Sequence, residues 1–183
     1  MISKNEEKII LRLQNIELES IMRIVSLPFN VDIFFVTVTV FILLKMISKR
    51  DLLFLAFGQT MLFILKFIFS RNRPYSNNIF INNLTNKDTS ANTSFPSGHS
   101  FLSALTCSLL LENRIIKNNK LLRIIVKIYP FLVAISRVFL GVHYPSDVMF
   151  GLLFGFLYFR LFRKTFKKIF ENFLNKKKLK KKL

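Results

Sequence analysis

Ser136-Arg137-Val138-Phe139-Leu140-Gly141-Val142-His143-Tyr144-Pro145-Ser146-Asp147 is the stretch on which the reading of this chain turns. It sets an arginine, a histidine and an aspartate where one long apolar run ends and the next begins. Ionisable groups at the edge of an apolar medium are expensive unless they pair or act. His143 lies four residues before Asp147, and Pro145 between them favours a helix start. The spacing therefore predicts that the carboxylate folds back onto one imidazole nitrogen, fixing the tautomer and leaving the other nitrogen to attack or to take a proton. The same residues admit a plainer reading, in which Asp147 favours a helix N-terminus, Arg137 snorkels and His143 is a loop residue. The rest of the chain decides between them.

Outward from this stretch the chain is apolar in long segments: Val31 to Lys49, Leu52 to Ser70, the shorter Phe101 to Leu111, Leu121 to Val142, and Pro145 to about Phe162. The 183 residues are 51% hydrophobic with 22 Phe, yet carry a formal net charge of +18. A soluble globule of this size rarely holds several apolar runs of about 17 to 20 residues, whereas a bundle crossing a bilayer needs them. The expected fold is all-α, an integral membrane helical bundle forming one domain over residues 1–183. Residues 5–28 repeat Lys8, Arg12, Asn15, Glu19 and Arg23 at helical steps, an amphipathic pattern too polar to span, so residues 1–30 are expected to lie along the membrane surface. That gives five transmembrane helices, or six if this helix crosses. Residues 163–183 form a basic tail. Cys107 sits inside an apolar run as a packing residue. No cleavable signal peptide is evident.

Two further clusters stand at the ends of these runs. Lys66 precedes Arg73-Pro74 by seven residues, close to two helical turns, so a helix continuing that far would project both cations from one face. A long polar loop, residues 71–95, follows, of a length that is usually functional or disordered. Its sequons Asn83-Leu84-Thr85 and Asn92-Thr93-Ser94 matter only in a eukaryotic source. Then Phe95-Pro96-Ser97-Gly98-His99-Ser100 leads into the next run, and a Ser-Gly helix start with free amides is a ready anion site. Counting runs places all three clusters on one membrane face. Lys45, Lys49, Arg50, Lys117, Arg123 and the tail lie on the other, which the positive-inside rule makes cytoplasmic.

The gathered groups define a chemistry. Lys66, Arg73 and Arg137 with the Ser97-Gly98 helix start suit a doubly charged oxyanion, most simply phosphate. His143, oriented by Asp147, is the better nucleophile, and His99 the better general acid for a departing alkoxide and later base for water. No set of acidic ligands accompanies them, so neither a metal nor another cofactor is expected.

Lys66-x6-Arg73-Pro74, Pro96-Ser97-Gly98-His99 and Ser136-Arg137-x5-His143-x3-Asp147 resemble the three signature motifs of the type 2 phosphatidic acid phosphatase superfamily, in order and with every motif position matched. The resemblance implies metal-independent phosphatase activity on lipid phosphates or diphosphates through a phosphohistidine. By position, His143 resembles the nucleophile, Asp147 its partner and His99 the proton donor, while Lys66, Arg73, Ser97, Gly98 and Arg137 resemble the phosphate-binding set. Soluble haloperoxidases and acid phosphatases share these motifs, but the apolar spans argue against both. Undecaprenyl diphosphate, phosphatidate and phosphatidylglycerol phosphate all remain open as substrates. The competing functions are a membrane lipid phosphotransferase and a non-catalytic basic membrane adaptor. The expected partners are the lipid substrate and membrane lipids, not nucleic acid, and the expected location is a cell membrane with the site on the non-cytoplasmic face.

Overall fold

The computed structural model describes residues 4–85 and 93–180. The middle of the polar loop, where Ser90 and the start of the second sequon fall, and the last three residues of the basic tail lie outside the described residues. All regular structure within them is helical: α1 (Lys4–Gln14), α2 (Glu19–Ser26), a 3-10 turn (Leu27–Phe29), α3 (Val31–Leu43), α4 (Lys49–Phe69), α5 (Pro74–Asn77), α6 (Gly98–Leu110), α7 (Arg114–Asn118), α8 (Lys120–Phe139) and α9 (Pro145–Lys180).

The ends of these helices follow local chemistry. A capping box starts α4, with Asp51 accepting from the Ser48 backbone at 2.7 Å and Ser48 returning the contact. Ser70, left-handed at φ 35°, stops it. The helix therefore does not continue to Arg73 as the seven-residue spacing allowed. Ser97 caps α6 by accepting from the Ser100 amide, and Pro145 opens α9.

α6 is the axis of the bundle. Residues 100–110 are all buried, which is why a helix of 13 residues suffices: protein, not lipid, surrounds it. Its tightest neighbour is α9, where a Cβ on Gly151 would come within 2.6 Å of Ser97 O, and one on Gly155 within 2.6 Å of Phe101 O. Glycines four residues apart let two helix backbones approach as side chains would forbid. This crossing fixes the start of α6 against the start of α9, hence the Pro-Ser-Gly-His cluster against His143 and Asp147.

Among the described residues two helical segments are long and apolar enough to cross a membrane, Arg50–Asn77, which is α4 with the short α5 beyond its stop, and Pro145–Phe173. Glu19–Phe29 with Ile33–Leu43, bent by 65°, makes a third as a broken span. The expected surface helix over residues 5–28 is thus divided. α1 lies at one end of the bundle, where Gln14 donates to Asn82 O at 2.7 Å. α2 packs along α8, where Tyr129 Oη donates to Val25 O at 2.9 Å. The buried Ser26 and Phe29 set one face of the second half of the segment against the bundle, while Ile21, Ile24 and Leu27 stay exposed. α9 is one helix of 36 residues and runs from the last apolar segment on into the basic residues, with no proline or glycine between Phe162 and Lys180 to break it.

At the end remote from the motif clusters, Arg163 of α9 donates to Asp51 Oδ1 at 2.6 Å and Glu112 Oε2 at 2.7 Å, and Lys167 donates to Glu112 at 2.9 Å. A buried guanidinium with two carboxylates leaves neither sign uncompensated.

Candidate active site

The three clusters meet at one end of the bundle. From the last turns of α4, Lys66 Nζ donates to Thr93 O at 2.6 Å. Beyond the Ser70 stop the chain doubles back, and buried Arg73 donates to Val142 O at 3.0 Å and Thr93 Oγ1 at 3.2 Å. Arg137, buried in the last turn of α8, donates to Ser26 Oγ at 3.2 Å, while its Nε is buried without a partner. Lys66, Arg73, Gly98, His99, Arg137 and His143 all line one cavity of about 920 Å³. Three cations, one of them with a sealed and unused N–H, around open helix amides make a strong oxyanion site.

Ser97 and Asp147 stand behind this set. The hydroxyl of Ser97 accepts in the α6 cap and from Ser100 Oγ at 3.1 Å, so its lone pairs hold the helix start open and its own hydrogen remains to donate. The carboxylate of Asp147 does not make the direct bond to His143 that the four-residue spacing predicted. Its Oδ2 lies 3.8 Å from His143 Nδ1, beyond hydrogen-bond reach. Other groups hold it back: Arg71 Nη1 donates to Oδ1 at 2.6 Å, and Ser94 Oγ and the Tyr144 amide donate to Oδ2 at 2.5 and 2.9 Å.

Ser94 occupies the gap. Its Oγ is also 3.5 Å from His143 Nδ1, a long contact. A hydroxyl has one proton to give. Donated to Asp147, it leaves only lone pairs facing the ring, so the network assigns the proton to Nδ1 and the free lone pair to Nε2. Burial, then the charges of Arg73, Lys66 and Arg137, hold the His143 pKa well below the ordinary imidazole value of 6.5, against a smaller opposing pull from the Ser94 backbone. The ring is neutral at neutral pH. His99 Nε2 lies 2.8 Å from Asn30 Oδ1. An amide oxygen only accepts, so that nitrogen carries a hydrogen.

Sequence reasoning missed Ser94, Arg71, Asn30 and Glu6. Arg71 joins Asp147 to α1, since its Nη2 donates to Glu6 Oε2 at 3.1 Å. The guanidinium also stacks 4.2 Å from the centre of the Tyr144 ring. Glu6 accepts from the Ser146 amide at 2.9 Å as well, closing the start of α9. None of the four stands in a recognisable spacing; only the position of Ser94 within three residues of Ser97 hinted at it. Among the described residues no group of three or more His, Cys, Asp or Glu could hold a metal ion.

The far wall of the cavity is apolar. Leu62, Phe63, Ile64 and Phe67 of α4 line it together with Phe29 and Leu102, and Phe63, Ile64 and Phe67 are exposed. The charged groups thus share one cavity with apolar residues that are exposed on the surface of the bundle.

The sequence model of the PAP2 superfamily matches residues 33–171. A transmembrane PAP2-type phosphatidylglycerolphosphate phosphatase from Bacillus subtilis superposes with a TM-score of 0.71 at 28% identity, covering 90% of this chain and 86% of that one. LpxE from Aquifex aeolicus superposes with a TM-score of 0.68 at 22% identity, over 82% of this chain and 90% of its own. At that identity the likeness is one of fold alone. No curated protein sequence matches the chain closely enough to be counted a relative. The chain belongs to the PAP2 superfamily. It is a helical membrane enzyme that hydrolyses phosphoric esters.

Proposed function

We propose that the protein is a lipid phosphate phosphatase working through a phosphohistidine. The observation that carries this is the lining of one cavity: cations, open amides and two imidazoles, together with an apolar wall whose residues are exposed on the surface of the bundle. Such a site takes a molecule that is phosphate at one end and hydrocarbon at the other. His143 Nε2 attacks phosphorus; the bond from phosphorus to the lipid oxygen breaks; His99, entering the step protonated on both nitrogens with Nε2 held by Asn30, delivers its Nδ1 proton to that oxygen as the lipid alcohol leaves. Water, deprotonated by His99, then attacks phosphorus, the P–N bond breaks, and inorganic phosphate departs. Lys66, Arg73, Arg137 and the amides at Gly98 and His99 hold the charge that gathers on the phosphoryl oxygens, with Ser97 holding that helix start in place. The Bacillus subtilis relative is a phosphatidylglycerolphosphate phosphatase, which supports a glycerolipid phosphate for this chain as well.

The test is phosphate release by purified protein in detergent from phosphatidate, phosphatidylglycerol phosphate and undecaprenyl diphosphate, with chelator present. Turnover of at least one of them, unaffected by chelator and inhibited by vanadate, is expected. Activity that vanishes in chelator and returns with magnesium overturns the metal-independent scheme, and phosphate passed to a second lipid makes the protein a transferase.

One domain sits in a cell membrane on this reading, with the site on the non-cytoplasmic face and the basic residues 163–183 inside. Basic segments resist translocation. In a Cys107→Ala background, which removes the single cysteine, Ile79→Cys at the site end should react with a membrane-impermeant thiol reagent in intact cells. Asn118→Cys at the other end should react only after permeabilisation. The reverse labelling pattern inverts the orientation.

A further inference from the structure

Gln59 lies on α4 two helical turns below Lys66, in the wall of the same cavity. Seven residues advance an α-helix by about 10 Å and return it to within about 20° of the same direction. The amide therefore stands beneath the phosphate cluster, where the wall is otherwise Leu62, Phe63 and Leu102. No described residue hydrogen-bonds to its side chain; Oε1 is the sealed end of the amide and Nε2 is not sealed, so the end that meets the cavity is the one with the two N–H donors. The neighbouring Thr60 shows the alternative: its hydroxyl is satisfied by Ala56 O at 3.1 Å on its own helix. Donors turned to an otherwise apolar wall are destabilising unless an acceptor on the bound molecule meets them.

On the reading that this cavity takes a lipid phosphate, we infer that Gln59 is a specificity-determining residue which hydrogen-bonds an ester carbonyl of a diacylglycerol phosphate. The chemistry matches in kind and in depth. In such a lipid the ester carbonyls lie a few covalent bonds below phosphorus, between headgroup and chains, and can only accept. The glutamine amide offers two N–H donors, and rotation about its last, broad torsion aims them. A polyprenyl phosphate has only hydrocarbon at that level and leaves the amide bare. A site built to hydrogen-bond a substrate group disfavours the analogue lacking it, since its own polar atoms then stay unpaired.

Purified full-length protein in detergent is tested on three phosphomonoesters: a diacylglycerol phosphate, the dialkyl ether phosphate of the same chain length, and a polyprenyl phosphate. The wild type is expected to favour ester over ether by about tenfold in kcat/KM, as one hydrogen bond allows. Gln59→Leu is expected to bring that ratio to about one. Equal wild-type rates on ester and ether overturn the assignment without recourse to any variant. A Gln59→Leu enzyme that keeps the wild-type ratio, whatever its absolute rate, also overturns it. Failure on all three with turnover of undecaprenyl diphosphate overturns the assignment alone, whereas failure on these and on every lipid of the earlier panel overturns the lipid phosphatase reading itself, so the two failures are told apart.

Discussion

His143→Ala is expected to abolish turnover on every lipid phosphate the wild type hydrolyses, lowering kcat by at least about 10⁴-fold, the scale on which loss of a covalent nucleophile registers. The expectation follows from what the cavity holds. His143 Nε2 has a free lone pair, since Ser94 and Asp147 face Nδ1, whereas His99 is held through Nε2 by Asn30 and keeps Nδ1 for proton transfer. Alanine offers no nucleophile, and water in its place meets a site arranged around a ring. The cations remain, so the variant should still bind inorganic phosphate or vanadate and still sit in the membrane. Steady-state turnover, vanadate binding and membrane fractionation measure these on one preparation. A rapid acid-free quench should trap labelled phosphate on wild-type protein and none on the variant. Turnover within tenfold of wild type would reject His143 as the attacking group.

The chemistry of this chain is more legible in its sequence than its architecture. Polar residues at the ends of apolar runs stand out against hydrocarbon, so Lys66, Arg73, His99, Arg137 and His143 can be gathered from hydropathy and spacing, and the cavity lines up all five. Hydropathy says where a chain is apolar but not whether lipid or protein surrounds it. It therefore does not reveal that α6 is wrapped on all sides, or that residues 19–29 set one face against the bundle. A signal for the α6–α9 crossing is present in Gly151 and Gly155, four residues apart, and its meaning depends on knowing which helix is opposite. Pairing at long range carries no mark: Asp51 and Arg163 lie 112 residues apart, and Arg71 and Asp147 lie 76 apart. The spacing of His143 and Asp147 suggests a direct contact because four residues is about one helical turn. The turn is made, but Arg71 and the Tyr144 amide hold the carboxylate away, and a serine from another segment fills the gap.

That serine yields a sharper prediction than the aspartate alone. Asp147→Asn, which removes the charge but keeps the shape, should lower kcat by about 10³- to 10⁴-fold, by comparison with other buried carboxylates that fix an imidazole tautomer. If Asp147 acts on the ring through Ser94, then Ser94→Ala should lower kcat by about 10²-fold with little change in KM. The double variant should be no slower than Asp147→Asn, because groups acting as one unit are not additive. Ser94→Thr keeps the hydroxyl and should restore much of the loss. The chain has only two histidines, so His99→Gln leaves a single imidazole for ¹⁵N resonance. In that background the His143 ring should show hydrogen on Nδ1 and titrate below 6.5, in keeping with its burial among Arg73, Lys66 and Arg137. The sign is fixed by the site: a cationic surrounding opposes the charged ring, so the ring stays neutral until the pH falls below the ordinary imidazole range. Ser94→Ala should shift the hydrogen between the two nitrogens while leaving the helices intact. Additive losses in the double variant, together with an unchanged tautomer in Ser94→Ala, would show that the serine only packs and that Asp147 reaches the ring by another route.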